Sequence, residues 1–193
     1  MTCICALVEE DYTYMGCDSS ISSGNGWGIN TISDGKIFYK KPFLIGLSGN
    51  PRIYQIIQYK TKFKPIKAGT KYIEYMATDF ADSLRSSLKD SGRLEVEKEV
   101  EYMMGDTTLL VGLKGYVFSI SEGFYAELNE DNFCAIGCGG DFALGSLYST
   151  KKMKSEKRIR LALEAASKYS GAVRGPYCLF RLNNSSDKFE KIL

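Results

Sequence analysis

The stretch Met1-Thr2-Cys3-Ile4-Cys5-Ala6-Leu7-Val8, followed after a polar turn by Met15-Gly16-Cys17-Asp18, guides the interpretation of the whole chain. Its two apolar segments are rich in β-forming residues and predict an antiparallel hairpin. A threonine that follows the initiator Met becomes N-terminal once that Met is removed, and its own α-amine can then act as its base. Thr2 is therefore a candidate nucleophile. Asp18, at the end of the second strand, and Lys36, soon after it, would complete such a site.

The composition excludes several classes of function. The chain has 193 residues, 44% of them apolar, with 25 Lys and Arg against 23 Asp and Glu, as in an ordinary soluble globular protein. We expect a single domain, 1–193, because this length supports one sizeable core and is short for two. A net charge of +2 gives no reason to expect nucleic acid or membrane as a partner. The absence of histidine removes Ser-His-Asp and Cys-His catalysis and every His-containing metal site.

The six cysteines are expected to be reduced, because each lies in or beside an apolar run, where a free cysteine behaves as a small buried hydrophobe. They are Cys3, Cys5, Cys17, Cys134, Cys138 and Cys178. The N-terminal apolar run has no basic leader and is too short for a secretion signal, and no stretch approaches the roughly 20 apolar residues of a membrane span. We therefore expect a cytoplasmic protein. Cys3-x-Cys5 lacks the second pair of ligands that a metal site needs, so neither a metal nor a cofactor is predicted.

Strands and helices are predicted in blocks along the chain. Hairpins are predicted over residues 36–48 and 107–120, and single strands over 133–138, 177–182 and 188–193. Helices are predicted from Asn50-Pro51, which read as an N-cap and a first helical residue, and over 72–90, 141–148 and 159–169. Residues 19–34, rich in Gly, Ser and Asn, are predicted to be a loop, and the alternating glutamates of 95–101 an exposed connection. Two central and two later helices that each need a sheet to cover favour an α+β sandwich with antiparallel sheets in the middle.

Five short motifs then follow one another along the chain. They are Met1-Thr2 at a strand start, Gly16-Cys17-Asp18, Gly35-Lys36-Ile37, Gly46-Leu47-Ser48-Gly49, and Ala135-Ile136-Gly137-Cys138-Gly139-Gly140-Asp141-Phe142-Ala143-Leu144-Gly145. Each is common by chance, but their order and intervals resemble those of the proteasome β-subunit and HslV-like peptidases, a family of N-terminal nucleophile hydrolases, over nearly the whole chain. The resemblance implies a four-layer αββα sandwich.

The resemblance also implies a role for each matching residue. The Thr2 hydroxyl would attack a peptide carbonyl while its α-amine takes the proton. Lys36 would favour the unprotonated amine and the developing alkoxide, and Asp18 would hold that lysine by a charge-assisted hydrogen bond. The Gly49 backbone N–H matches the oxyanion donor, and Ser22 the loop position that binds the substrate backbone like an added strand.

Two positions around the nucleophile depart from the family pattern. Cys138, which stands before Gly139 and Gly140, occupies the place of a serine in active members and is a weaker hydrogen-bonding group. The later Asp-x-x-Ser-Gly of the family falls on residues 170–174, whose sequence Ser-Gly-Ala-Val-Arg keeps neither the carboxylate nor the hydroxyl in place. Cys138 and Gly139 are therefore candidate supporting residues.

Three functions remain open from the sequence. The first is a threonine-type peptidase acting on peptides or unfolded proteins, with the homo-oligomeric ring and ATPase partner that the resemblance suggests. The second is a non-catalytic subunit in which the same fold has a structural or binding role. The third is a small-molecule amidase, because the N-terminal nucleophile mechanism is not restricted to peptides.

Overall fold

The computed structural model describes residues 2–22, 29–32 and 35–193, and their strands occur mostly as sequential hairpins. In chain order the strands are β1 (Ile4–Glu9), β2 (Tyr12–Asp18), β3 (Ser20–Ser22), β4 (Ile29–Thr31), β5 (Ile37–Lys40), β6 (Phe43–Ser48), β7 (Leu94–Glu97), β8 (Val100–Met103), β9 (Thr108–Leu113), β10 (Tyr116–Ile120), β11 (Ala126–Leu128), β12 (Phe133–Ile136), β13 (Tyr177–Asn183) and β14 (Phe189–Lys191). The helices are α1 (Pro51–Tyr59), α2 (Tyr72–Tyr75), α3 (Ala81–Asp90), α4 (Gly140–Ser149) and α5 (Ser155–Tyr169). A π-helical turn, Met76–Phe80, joins α2 to α3.

Two antiparallel five-stranded sheets form the middle of the molecule. The first has the order β12-β1-β2-β13-β14 and the second the order β11-β10-β9-β6-β5. The predicted N-terminal hairpin is confirmed, with Ile4 opposite Cys17. Just beyond this pair, the Asp18 N–H donates to the Cys3 carbonyl at 3.2 Å. The hairpin register therefore brings the beginning of β1 beside the end of β2, where the candidate acid lies.

Three apolar layers separate four layers of secondary structure. Helices α1 and α3 and the π-helical turn cover the second sheet, and α4 and α5 cover the first. A third layer fills the space between the sheets and includes Ile4, Met15, Leu44, Leu110 and Phe180. The αββα sandwich is thereby confirmed. It forms because each sheet has two apolar faces, one for its partner sheet and one for helices.

Two motif glycines allow the layers to approach closely. A Cβ atom on Gly16 would lie 2.4 Å from Ile159 Cγ2, so α5 packs directly on the backbone of β2. A Cβ on Gly46 would lie 2.8 Å from Ile4 Cγ2, where the second sheet packs against the first. The glycines of the Gly-x-Asp and Gly-Leu-Ser-Gly motifs therefore set the spacing of layers around the N-terminal strand.

Helix α1 begins as predicted. The Asn50 side chain accepts a hydrogen bond from the Arg52 N–H at 2.9 Å, and Pro51 occupies the first turn. Ile53, Ile56 and Ile57 are buried against the second sheet, so the opposite face of the helix is left for solvent and for the cleft described below. Within residues 2–22, 29–32 and 35–193, no helix combines the length and the apolar character of a membrane span.

Three segments differ from the sequence predictions. The predicted loop of residues 19–34 contains paired strands, β3 and β4, while its Gly24-x-Gly26-x-Gly28 part lies outside the described residues. Residues 94–103 form a β7–β8 hairpin instead of a simple connection. Strand β11 was not predicted. Each of these strands has only three or four residues, too few for a period-2 pattern to stand out from its surroundings.

Candidate active site

Asp18 is the central polar group of the site. Its carboxylate is fully buried, and Oδ1 accepts hydrogen bonds from the Cys3 N–H at 2.9 Å and from Lys36 Nζ at 2.7 Å. Oδ2 accepts from the Ser20 N–H at 3.2 Å and contacts the Ser20 hydroxyl. A buried carboxylate is tolerated only when its charge is paired and its lone pairs are occupied, and here both conditions hold. One oxygen thus connects the Lys36 ammonium to the backbone of the residue that follows Thr2.

Ser20 is a site residue that the sequence did not reveal. Besides contacting Asp18, its Oγ lies 2.7 Å from the Ala172 carbonyl oxygen, in the segment between α5 and β13. The hydroxyl therefore ties the end of β2 to a part of the chain about 150 residues later. No local signal distinguishes Ser20 from the other serines of its polar segment, because its role depends on this long-range contact.

Lys36 approaches from the second sheet. It directly precedes β5, and its carbonyl accepts a hydrogen bond from the Leu47 N–H at 3.2 Å, which fixes its backbone against β6. Its side chain is only 9% exposed and forms an ion pair with Asp18. Because Lys36 belongs to one sheet and Asp18 to the other, the pair lies between the two sheets at their common end.

Thr2 is held by the segment that leads into α4. Its carbonyl accepts from the Gly139 N–H at 3.2 Å and from the Cys138 thiol at 3.4 Å, and its N–H contacts Cys138 Sγ at 3.3 Å. Gly137 adopts a left-handed φ of 86°, and a Cβ there would lie 2.3 Å from the Thr2 carbonyl oxygen. Only glycine allows this close approach. The structure thus places the predicted supporting residues Cys138 and Gly139 directly against Thr2.

The structure corrects one prediction about Cys138, its burial, and modifies another, the loss of the bracing hydroxyl. It is exposed, unlike the buried hydrophobe expected from its apolar surroundings. The Ser170 hydroxyl donates to Cys138 Sγ at 3.6 Å, so a hydroxyl from residues 170–174 does reach the nucleophile's surroundings, through the thiol. Val173, in contrast, is fully buried in the apolar layer under α4 and α5. The sequence missed Ser170 because the family pattern places the bracing hydroxyl three residues later.

Gly49 ends the β6 motif in a conformation that requires glycine. Its φ is 124°, and a Cβ there would lie 2.6 Å from both Cα and Oγ1 of Thr107. Thr107 Oγ1 accepts from the Asn50 N–H at 3.1 Å and donates to the Met104 carbonyl at 2.8 Å. Thr107 thus supports the turn from β6 into α1, and it too was absent from the predicted site.

A cleft of about 510 Å³ brings three of the four predicted catalytic residues together, with Thr2, Lys36 and Gly49 all in its lining. The other lining residues are Ser20, Ile21, Thr31, Ile32, Gly35, Leu47, Pro51, Tyr54, Gln55, Gln58 and Tyr59. Asp18 lies beneath this surface, bonded to Lys36. Ser22 ends β3 beside these residues and pairs with Ile29, but its side chain lies outside the described part of the chain.

Cys3, the residue next to Thr2, is not a competing nucleophile. Burial, together with the negative charge of Asp18, raises the pKa of its thiol to about 12. The thiol therefore stays protonated at neutral pH, and only a thiolate attacks efficiently. Across residues 2–22, 29–32 and 35–193, no three His, Cys, Asp or Glu side chains converge as metal ligands would. The cleft presents the Thr2 hydroxyl and the Lys36 ammonium in its lining.

Comparison with known proteins gives matches to structures alone: no family model matches the chain, and no curated protein matches it by sequence. BPH from Thiobacillus denitrificans superposes with a TM-score of 0.78 at 17% identity, covering 96% of this chain and all of the other. HslV from Trypanosoma brucei superposes with a TM-score of 0.65 at 17% identity, covering 94% of this chain and 99% of the other. The chain has the HslV fold. An Anbu protein from Yersinia bercovieri, described as an ancestral β-subunit, also matches, with a TM-score of 0.66 at 13% identity over 99% of this chain and 87% of the other.

The HslV fold confirms the resemblance drawn from the five sequence motifs. Identities of 13–17% establish the architecture and leave the activity to be argued from the site. One of the matching BPH structures contains epoxomicin, a property of that protein. In this chain, the HslV-like fold brings Thr2, Lys36 and Gly49 into one cleft, with Asp18 bonded to Lys36.

Proposed function

We propose that this protein is a threonine-type peptidase that uses Thr2, exposed by removal of Met1, as its nucleophile. The observation that carries the proposal is the cleft that Thr2 shares with Lys36 and Gly49, with Asp18 bonded both to Lys36 and to the backbone of Cys3. A hydroxyl with an α-amine of its own needs no imidazole, which agrees with a chain that contains no histidine.

In the proposed reaction the Thr2 α-amine takes the hydroxyl proton as Oγ attacks the substrate carbonyl. A free α-amine has a reference pKa of about 7.7 to 8.0, so a useful fraction is unprotonated near neutral pH. The nearby Lys36 ammonium disfavours a second positive charge on that amine and favours the alkoxide that forms on Thr2. Asp18 holds Lys36 in place, and the Gly49 N–H would stabilise the oxyanion.

The protonated amine then gives its proton to the departing peptide nitrogen as the C–N bond breaks, which leaves the acyl group as an ester on Thr2 Oγ. A water molecule takes the place of the released product, and the amine deprotonates this water as it attacks the ester carbonyl. The bond between Oγ and the acyl carbon then breaks, Oγ recovers its proton from the amine, and the carboxylic acid product is released. Substrate backbone would bind along β3, where Ser22 is the proposed contact.

Assembly is a further part of the proposal. We infer a cytoplasmic homo-oligomeric ring that encloses the clefts and admits unfolded substrates, with an ATPase as a partner that could deliver them. Exposed aromatic side chains on the α4–α5 layer support an interface there, because Phe142 and Tyr169 are 42% and 65% exposed and their ring centroids lie 5.7 Å apart. Tyr148 on α4 is 66% exposed.

A non-catalytic subunit is the second candidate. Val173 favours it, since this apolar, fully buried side chain stands where the family pattern has the bracing hydroxyl, and the weaker thiol of Cys138 replaces a serine. A small-molecule amidase remains a third candidate, and an open monomer or dimer would favour it over the peptidase. Turnover of different substrates separates these candidates.

The test compares the wild type with Thr2→Ala and with Thr31→Ala, which removes another threonine from the same cleft. We expect release of a fluorophore from short peptides by the wild type and by Thr31→Ala, and none by Thr2→Ala. Cleavage of small N-acyl amides without cleavage of peptides would support the amidase. Equal rates for the wild type and Thr2→Ala on every substrate would contradict the proposal and favour the non-catalytic subunit.

A further inference from the structure

One side of the cleft belongs to a stretch of the chain that carries only positive charge. Between Gly35 and Ile73 there are nine Lys and Arg and no Asp or Glu, whereas the rest of the chain has 16 Lys and Arg against 23 Asp and Glu. The nine are Lys36, Lys40, Lys41, Arg52, Lys60, Lys62, Lys64, Lys67 and Lys71. This stretch forms β5, β6, α1 and the connection that follows, so the near-neutral total conceals a local excess of positive charge beside the cleft.

Three of these cations do not line the cleft themselves, but each lies beside a residue that does. Arg52 Nη1 donates to Gln55 Oε1 at 3.0 Å, and Lys40 Nζ donates to the Gln58 carbonyl at 2.8 Å. Lys60 is exposed at the end of α1, directly after the lining residue Tyr59. The cleft face of α1 is therefore bordered at both ends by positive charge. Its own lining side chains, two tyrosines and two glutamines, are uncharged.

Negative charge does not balance these cations. Lys36 is neutralised by Asp18 at 2.7 Å, but no lining residue in the described part of the chain is Asp or Glu. Among the described residues, no ion pair involves the side chains of Lys40, Arg52 or Lys60. The excess charge along α1 is therefore available to a ligand.

We infer that the cleft selects peptides in which the residue directly before the bond cleaved by Thr2 is acidic. This inference rests on the proposed peptidase function and adds its substrate class. With the attacked carbonyl placed between Thr2 and Gly49, the neighbouring substrate side chain enters the cleft along α1. A carboxylate there is attracted by Arg52 at one end of α1 and by Lys40 and Lys60 at the other, while a Lys or Arg side chain is repelled by the same groups.

The size of the effect follows from the exposure of Arg52 and Lys60, while Lys40 is half-buried. A solvent-exposed ion pair contributes up to about 1 kcal/mol, which corresponds to about a fivefold preference in kcat/KM for one carboxylate over its neutral amide. The preference depends on salt, because exposed charges are screened over about 8 Å at physiological ionic strength and over about 3 Å at 1 M.

The experiment uses three fluorogenic peptides that differ only in the residue before the cleaved bond, which is Glu, Gln or Lys. We expect kcat/KM to be about fivefold higher for Glu than for Gln, and lowest for Lys, with the differences largely lost at about 1 M salt. The double variant Arg52→Glu/Lys60→Glu should reverse the order of Glu and Lys while it still cleaves the Gln peptide. Lys157→Glu, an exposed lysine of α5 on the opposite face, is the matched control and should keep the wild-type order.

The results separate an error in the inferred acidic preference from an error in the proposed peptidase function. Thr2-dependent cleavage of the Gln peptide with no preference for Glu would overturn the acidic selectivity and leave the peptidase intact. If none of the peptides is cleaved, binding of the same peptides to the Thr2→Ala protein, measured by fluorescence anisotropy, still decides the question. Tighter binding of the Glu peptide than of the Gln peptide supports the inference, and equal binding overturns it.

Discussion

Asp18 is the residue whose environment is most constrained. It is fully buried and bonded to a lysine, to two backbone N–H groups and to a hydroxyl, so its charge supports both the fold and the proposed chemistry. The Ser20 hydroxyl contact extends this network to the Ala172 carbonyl. Removing the negative charge would therefore take away the carboxylate that pairs with the buried Lys36 ammonium.

Asp18→Asn is expected to lower the free energy of unfolding by about 3 kcal/mol, as measured by urea denaturation. The cause is the loss of the carboxylate paired with Lys36, whose side chain is only 9% exposed. Asp141→Asn, at an exposed position in the first turn of α4, is the control and should change stability by about 0.5 kcal/mol or less. A loss for Asp18→Asn no larger than that of the control would show that the ion pair is not a structural element.

Cys138 stands where the family pattern has a serine, directly beside Thr2. Its thiol contacts the Thr2 carbonyl and N–H on one side and the Ser170 hydroxyl on the other. Because a hydroxyl is a stronger donor and acceptor than a thiol, Cys138→Ser is expected to raise kcat/KM about fivefold, and Cys138→Ala to lower it about tenfold.

The measurement is the pH dependence of kcat/KM for the three proteins. A residue that positions the α-amine should move the pH at which the rate rises, whereas a residue that only fills space should change the unfolding midpoint and leave that pH unchanged. Identical pH profiles for the Ser and Ala variants would contradict a role for Cys138 in positioning Thr2.

At the scale of elements, the turn from β6 into α1 is the part of the scaffold that aligns the proposed oxyanion donor. Gly49 has a left-handed φ and no space for a side chain next to Thr107, while Asn50 caps the helix that forms one side of the cleft. The position of α1 relative to Thr2 is therefore fixed by a few residues at the end of one strand.

Gly49→Ala is expected to destabilise the protein by about 2 to 4 kcal/mol, through a strained backbone and a clash with Thr107. Gly145→Ala on α4 is the matched control, since a Cβ there meets nothing within 4 Å and alanine favours a helix by about 1 kcal/mol over glycine. Thermal unfolding of both variants checks the prediction. A Gly49→Ala protein as stable as Gly145→Ala would mean that this turn is not fixed as described.

The sequence predicted elements well where the apolar pattern was long enough to recognise, as in β1 and β2, with six and seven residues, and in α5, with fifteen. It failed for β3, β4 and β11, where three residues give no period. In the site, motif order pointed to Thr2, Asp18 and Lys36. Ser20, Thr107 and Ser170 could not be found, since each is a lone hydroxyl whose partner is chosen by tertiary packing.

At the scale of the whole molecule, the exposed aromatic side chains of α4 and α5 are the features that an isolated chain does not explain. Phe142, Tyr148 and Tyr169 lie on the outer surface of the helical layer that covers the first sheet. Exposed apolar groups of this size are typical of surfaces that associate with another protein.

The double variant Phe142→Glu/Tyr169→Glu is expected to break the proposed ring into smaller species, because charges would replace apolar contacts at the proposed interface. Light scattering coupled to size-exclusion chromatography measures the mass. Val96→Glu, a change at a 67% exposed apolar position on the β7–β8 hairpin, is the control and should leave the oligomer unchanged. A monomeric wild type, or a double variant with the wild-type mass, would exclude an interface on this layer.

The central claim is that Thr2 carries out the chemistry as an N-terminal residue, and intact-mass spectrometry after incubation with a peptidyl epoxyketone tests it most directly. An epoxyketone reacts with both the hydroxyl and the α-amine of an N-terminal threonine. We expect a protein lacking the mass of Met1, a single adduct that maps to Thr2, and no adduct on Thr2→Ala. A protein that fully retains Met1 and gains no adduct would contradict it.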